Sequence, residues 1–215
     1  MMRNKPHGRE KPSARIARVR KKTGPARARL DKSAVVRAAA DLVNAGGWEA
    51  LTLTRLAEAL GVQTPSLYNH VDGLAGLRRE LTLLSTRELC DQMANAAIGQ
   101  SGPEAVRRIA RAYRQYIKDN PGVYLLSVRS ALRSSPPDVE LQRAQSRTVE
   151  VILAVVTSFG LGEKNALHAI RGLRSLVHGF ATLEIAGGFG LPLDCEESFR
   201  RLVEIYIREL PKGLD

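Results

Sequence analysis

Cysteine is nearly missing: Cys90 and Cys195 are the only two in 215 residues. That excludes a disulfide framework and any cysteine-rich zinc module, and it fits a reducing compartment. Long apolar runs are missing as well. The longest is Val151 to Val156, six residues, where a membrane-spanning helix needs roughly 20. No apolar stretch follows the charged N-terminus, so no secretory signal is expected. Nothing alternates between apolar and polar as a half-buried strand would, and no internal repeat appears. The histidines, His7, His70, His168 and His178, are scattered. His168 and His178 fall about 80° apart around a helix, poor geometry for a shared metal. No nucleophile elbow and no converging acid–base pair is present. These absences predict a soluble cytoplasmic protein that needs no cofactor or metal, touches no membrane and is not an enzyme.

What is present is basic charge in one place. Eleven of the 33 lysines and arginines fall in residues 1–30, against the single acid Glu10, so the other 185 residues carry 22 bases and 21 acids. The net charge of +11 therefore describes a tail and not a basic domain. Such asymmetry points to a polyanion partner, nucleic acid or an anionic membrane surface, and otherwise to a solvated leader that only aids solubility or to residues ahead of the true start. Residues 1–30 also hold Pro6, Pro12, Pro25, Gly8 and Gly24, with few large apolar side chains, and read as a disordered basic arm.

From Asp31 onward the pattern is helical. Asp31 can cap a helix whose Val35, Val36, Ala39, Leu42 and Val43 share one face, with Gly46-Gly47 ending it. Trp48 and Leu51 read as core anchors. Two short helices follow, one over Thr54 to Leu60 with Thr52 as cap, one over about Pro65 to Val71 with Thr64 as cap. Longer helices are expected over about Leu74–Ala97, Glu104–Lys118, Val123–Leu132, Asp138–Ser158, Glu163–Ala186 and Cys195–Leu210, punctuated by glycine and proline. The fold class is all-α: a three-helix N-terminal unit over 31–76 and a larger helical domain over 77–215. The 44% of hydrophobic residues suffices for one sizeable core or two modest ones.

The segment from Leu51 to Val71 reads as a helix-turn-helix. Leu56, Ala57 and Leu60 form an apolar face, Gly61 sits at the tight turn, and Val62 and Leu67 fill the gap between the helices. Gln63, Thr64, Ser66, Tyr68, Asn69 and His70 then point outward. Such short or planar polar groups on a helix suit base edges and phosphate oxygens in a major groove.

The stretch GVQTPSLYNHVDGLAGL, from Gly61 to Leu77, resembles the recognition-helix block of the TetR family of transcriptional repressors. The likeness extends over Leu30 to Leu77, through the link Gly47-Trp48-Glu49-Ala50-Leu51-Thr52, then Leu56-Ala57 with Leu60-Gly61-Val62, then Leu67-Tyr68 with His70. Residues 171–181 resemble a ligand-binding subgroup of the same family. The resemblance implies base and nearby phosphate contacts for Thr64, Pro65, Ser66, Asn69 and His70, and a phosphate contact for Tyr68. It implies further phosphate contacts for Thr52 and Thr54. Leu74 stands where many members carry a phosphate-gripping lysine. Arg27 and Arg29, just ahead of the first helix, are candidates to compensate from the minor groove.

The resemblance also implies a homodimer paired through its last two long helices and a small-molecule effector among the helices from Leu74 to Phe180. Tyr113, Tyr116, Tyr124, His168, Arg171 and His178 are the candidates to line that effector site. Ile170, Leu173, Val177, Phe180, Val203 and Ile207 are candidates for the intermolecular face, with ordinary intramolecular core as the alternative. The expected function is a ligand-responsive regulator of double-stranded DNA, a repressor released from a palindromic operator. The competing expectation is an architectural or nonspecific nucleic-acid binder gripping through its arm. A third is an all-α enzyme, against which the lack of a convergent acid–base or metal constellation argues.

Overall fold

A computed structural model describes residues 30–130 and 137–210, together with Met1. It holds α1 (Lys32–Gly46), a 3₁₀ turn (Trp48–Ala50), α2 (Leu53–Leu60), α3 (Thr64–Leu67), α4 (Gly73–Ala97), α5 (Gly102–Asp119) and α6 (Pro121–Ser130). There follow α7 (Val139–Val156), a second 3₁₀ turn (Thr157–Phe159), α8 (Glu163–Ile185) and α9 (Cys195–Glu209). No strand occurs among the described residues. The fold is all-α, an N-terminal helix-turn-helix followed by a larger helical domain. Arg27 and Arg29, and the arm to which they belong, lie outside the described residues.

The helix starts follow local chemistry. Asp31 accepts from the Ala34 N–H at 2.8 Å, and Thr52 accepts from the Arg55 N–H at 3.1 Å, so both expected caps are made. The Ala34 N–H, and after it the Ser33 hydroxyl, hold the Asp31 carboxyl below its usual range. Thr64 does not cap α3; it is the first residue of the helix, and Gln63 occupies the cap position without a side-chain bond. The helix expected over Asp138–Ser158 stops at Val156, where the chain tightens into a 3₁₀ turn before Gly160.

Two apolar cores form. The first gathers Val35, Val36, Ala39 and Val43 from α1, Leu56 and Ala57 from α2, Leu67 from α3, and Leu77 and Leu81 from α4. Val123 and Leu126 of α6 complete it, so this core takes side chains from beyond the boundary expected after residue 76. Trp48 is a partly buried neighbour of this core, with the Arg78 guanidinium 4.6 Å from its ring centroid. The second core joins the far end of α4 (Leu89, Met93) to α5, α7, α8 and α9, with Tyr124 entering from α6. At 25 residues α4 is about 37 Å long and belongs to both cores.

The start of α6 is the other joint. Asn44 of α1 accepts from the Val123 N–H at 3.0 Å and donates to Asn120 at 3.2 Å, satisfying a free donor at the N-terminus of α6. The backbones approach so closely there that a Cβ on Gly122 would lie 2.0 Å from the Val43 carbonyl oxygen. Only glycine fits.

Ile170, Leu173, Val177, Val203 and Ile207, candidates for an intermolecular face, are buried inside the chain itself. Periodicity revealed an apolar stripe, and α5 and α7 of the same chain cover it. Phe180 is half-buried and packs on Phe189 and Phe199, with ring centroids 4.7 and 5.1 Å apart.

Candidate nucleic-acid interface

The turn between α2 and α3 is built by Gly61, whose φ of 64° lies in the left-handed region, with its N–H returning to Ala57 and Glu58 carbonyls. Leu67 then locks α3 down: its side chain is 0% exposed, beside Leu56 and Ala57. With Leu67 turned inward, its neighbours turn outward. Tyr68 is 60% exposed, Pro65 and Asn69 are exposed, and Thr64, Ser66 and His70 are half-exposed.

The helical stretch is shorter than the expected Pro65–Val71. Regular helix ends at Leu67, and Tyr68 to Val71 continue as tight turns, with His70 N–H and Val71 N–H both donating to the Leu67 carbonyl at 2.9 and 3.0 Å. Thr54 is exposed on α2, and Thr52 holds its cap with an oxygen while its hydroxyl proton stays free to donate. The structure therefore places Thr52, Thr54, Thr64, Pro65, Ser66, Tyr68, Asn69 and His70 on α2, α3 and the turns at their ends, all at least partly exposed. The surface is chemically suited to hydrogen-bonding base edges and phosphates. Leu74, in place of a cation, is 38% exposed at the start of α4. One turn further, Arg78 is exposed over Trp48, a cation that sequence reasoning missed; its i+4 spacing from Leu74 was the available signal.

The effector candidates divide. Tyr113 of α5, Tyr124 of α6 and His178 of α8 form a hydrogen-bonded chain, with the two phenol oxygens 3.0 Å apart and Tyr124 Oη 2.8 Å from His178 Nδ1. Burial pushes both tyrosine hydroxyls upward and holds His178 below its ordinary value, with Arg174 adding to the effect on the histidine. Tyr116 is also buried, and its hydroxyl donates to Glu88 at 3.5 Å. His168 and Arg171 stand on the exposed side of α8 and do not join this chain. A groove of about 570 Å³ opens instead between α4 and α7, lined by residues that no sequence motif singled out.

Comparison with known proteins agrees with both halves of this arrangement. Residues 35–80 match the model for bacterial regulatory proteins of the tetR family, and residues 106–206 match a tetracyclin repressor-like C-terminal domain. An uncharacterized HTH-type transcriptional regulator of Mycobacterium tuberculosis is 34% identical over 160 residues, covering 74% of this chain and 72% of that protein. Another from Bacillus subtilis is 32% identical over 185 residues, covering 86% and 93%. Among solved structures, a TetR variant from Acinetobacter baumannii in complex with minocycline has a similar fold. Its TM-score is 0.64 at 22% identity, covering 86% of this chain and 98% of that one.

Proposed function

Because the chain belongs to the TetR family of DNA-binding transcriptional regulators, we propose that it acts as a homodimeric repressor in the cytoplasm. It would hold a palindromic operator with two copies of α3 and leave it when a small molecule binds. The observation that carries this reading is the division at Leu67: the side chain anchoring α3 is buried while Ser66, Tyr68, Asn69 and His70 stand open. Ser66, Asn69 and His70, with Thr64 and Pro65, meet base edges and adjoining phosphates. Tyr68, Thr52 and Thr54 meet phosphate. Arg27 and Arg29 reach the minor groove beside them.

A palindrome calls for a two-fold protein. With the inner stripes of α8 and α9 covered by their own chain, the dimer face is the outer side of these helices. Leu167 on α8 is 44% exposed there and Ile205 on α9 is 55% exposed. On this reading His168 and Arg171 belong to the rim of the dimer contact. An effector entering between α5, α6 and α8 would have to break the Tyr113–Tyr124–His178 chain. Release follows if the effector binds better to a dimer whose two copies of α3 are wrongly spaced, and by no more than that difference in affinity. The structurally similar TetR bound to minocycline supports a ligand-responsive body for this fold. The reading includes no catalytic step.

In vitro selection of bound DNA tests the proposal, with a palindrome as the expected outcome. Tyr68→Ala and His70→Ala should each weaken operator binding about tenfold, the loss of one good contact, with the dimer intact by sedimentation. Unchanged gel-shift affinity would refute the contact assignment. Deleting residues 1–30 separates this reading from nonspecific binding through the arm. Binding to the palindrome should weaken and its salt dependence flatten, whereas an arm-driven binder would lose DNA altogether.

A further inference from the structure

We propose that the groove between α4 and α7 binds a small molecule carrying a single carboxylate, and that its occupation reaches the DNA-reading helices through a chain of ion pairs. This rests on the regulator reading above and adds a ligand site apart from the Tyr113–Tyr124–His178 chain. The volume of about 570 Å³ falls within the range of small-molecule sites. Arg87 lines it from α4, and Arg143 and Arg147, one helical turn apart, line it from α7. Each end is clasped. Arg87 donates to Glu140 at 2.8 Å, and Arg147 faces Asp91 at 3.4 Å. Arg143, between the clasps, pairs with no carboxylate among the described residues.

The groove thus holds one cation more than its acids neutralise. A guanidinium fork matches a planar carboxylate through two parallel hydrogen bonds. One surplus charge suits a monoanion, and the two acids on the walls oppose a phosphate dianion.

Glu140 links the groove to the rest of the molecule. It also accepts from Arg79 at 2.8 Å, and Arg79 donates to Asp138, the cap of α7, and to Glu80 at 2.7 Å. Glu80 pairs with Lys32 at 2.7 Å, the first residue of α1. A ligand carboxylate held on Arg143 and reaching Arg87 across the groove draws Arg87 from Glu140 and leaves that acid to Arg79 alone. The balance of charge around Arg79, Glu80 and Lys32 then changes at the base of the reading unit.

Calorimetric titration of the full chain with benzoate tests the site, with benzamide as its uncharged isostere and inorganic phosphate as a third arm. Benzoate should bind, and the other two should bind at least tenfold more weakly. Arg143→Ala, a change at an exposed side chain, should cost about tenfold in benzoate affinity, the loss expected for one charge-assisted hydrogen bond. Absence of benzoate binding, or binding indifferent to Arg143→Ala, overturns the site. Phosphate binding more tightly than benzoate overturns the carboxylate assignment. Operator affinity measured with and without saturating benzoate tests the relay: it should change in the wild type and change less in Glu140→Gln. Binding that depends on Arg143 but leaves operator affinity unmoved overturns the relay. If no operator can be selected at all, the regulator reading fails while calorimetry still decides the carboxylate site.

Discussion

The reading unit and the helical body hold themselves together in different ways. In the first, the decisive bonds are local: Asp31 to Ala34, Thr52 to Arg55, Gly61 to Ala57, each within four residues of chain. In the second they span the sequence. Arg107 of α5 donates to Glu204 of α9, 97 residues away, at 2.6 and 2.9 Å. Arg114, 7% exposed at its side chain, holds Glu184 of α8 bidentately at 2.8 Å and also bonds Glu196 of α9 while lying against the Phe199 ring. A short segment with local bonds can keep its shape while its outer residues vary, which suits a surface that must read a particular DNA. A body with distant ion pairs registers the relative position of its helices, which suits a device that must respond to a ligand.

Mutations that strike one region and spare the other sharpen this contrast, and one at the joint should blur it. Leu67→Ala carries the largest expected effect. It removes a fully buried side chain and should cost about 3 kcal/mol. Hydrogen exchange should quicken in α2 and α3 while α5 and α8 keep their protection; equal loss in both would break the comparison. Gly122→Ala comes next at about 2 kcal/mol, because its methyl group would meet the Val43 carbonyl and α1 and α6 would have to part. Here melting temperature and operator affinity should fall together. Arg114→Ala should cost about 1.5 kcal/mol, with Lys118 still beside Glu184 at 2.9 Å, and should leave operator affinity near the wild-type value.

The smallest effect is one of pH. Arg114, with Lys118 behind it, holds the Glu184 carboxyl below its ordinary 4.5 against the opposing effect of burial. The stability this contributes is therefore fully present above pH 4.5 and fades as pH falls through the lower folded value. Thermal melts across that window should show a shallower acid loss in Arg114→Ala than in the wild type. Parallel curves would remove Glu184 from the account.

The same contrast explains what was legible beforehand. The caps at Asp31 and Thr52, the turn at Gly61 and the outward set around Leu67 depend on neighbours in sequence, and reading the chain found them. The shortness of α3 was not legible, since Tyr68 to His70 are compatible with either helix or turn until packing of Leu67 decides. In the body, spacing revealed that Ile170, Val177 and Val203 share apolar stripes, but nothing in a stripe says whether its cover is the same chain or a second copy. Tyr113, Tyr124 and His178 were singled out by type, and their meeting in one hydrogen-bonded chain came from tertiary structure alone. The arginines of the α4–α7 groove stand up to 60 positions apart, beyond the reach of any motif.

The first core borrows Leu77, Leu81, Val123 and Leu126 from helices that continue into the body. A fragment cut after residue 76 would bare the undersides of α1 and α2 to water, so the reader is not a portable cassette. Grafting it onto another sensor requires carrying along the opening turns of α4 and a stand-in for α6.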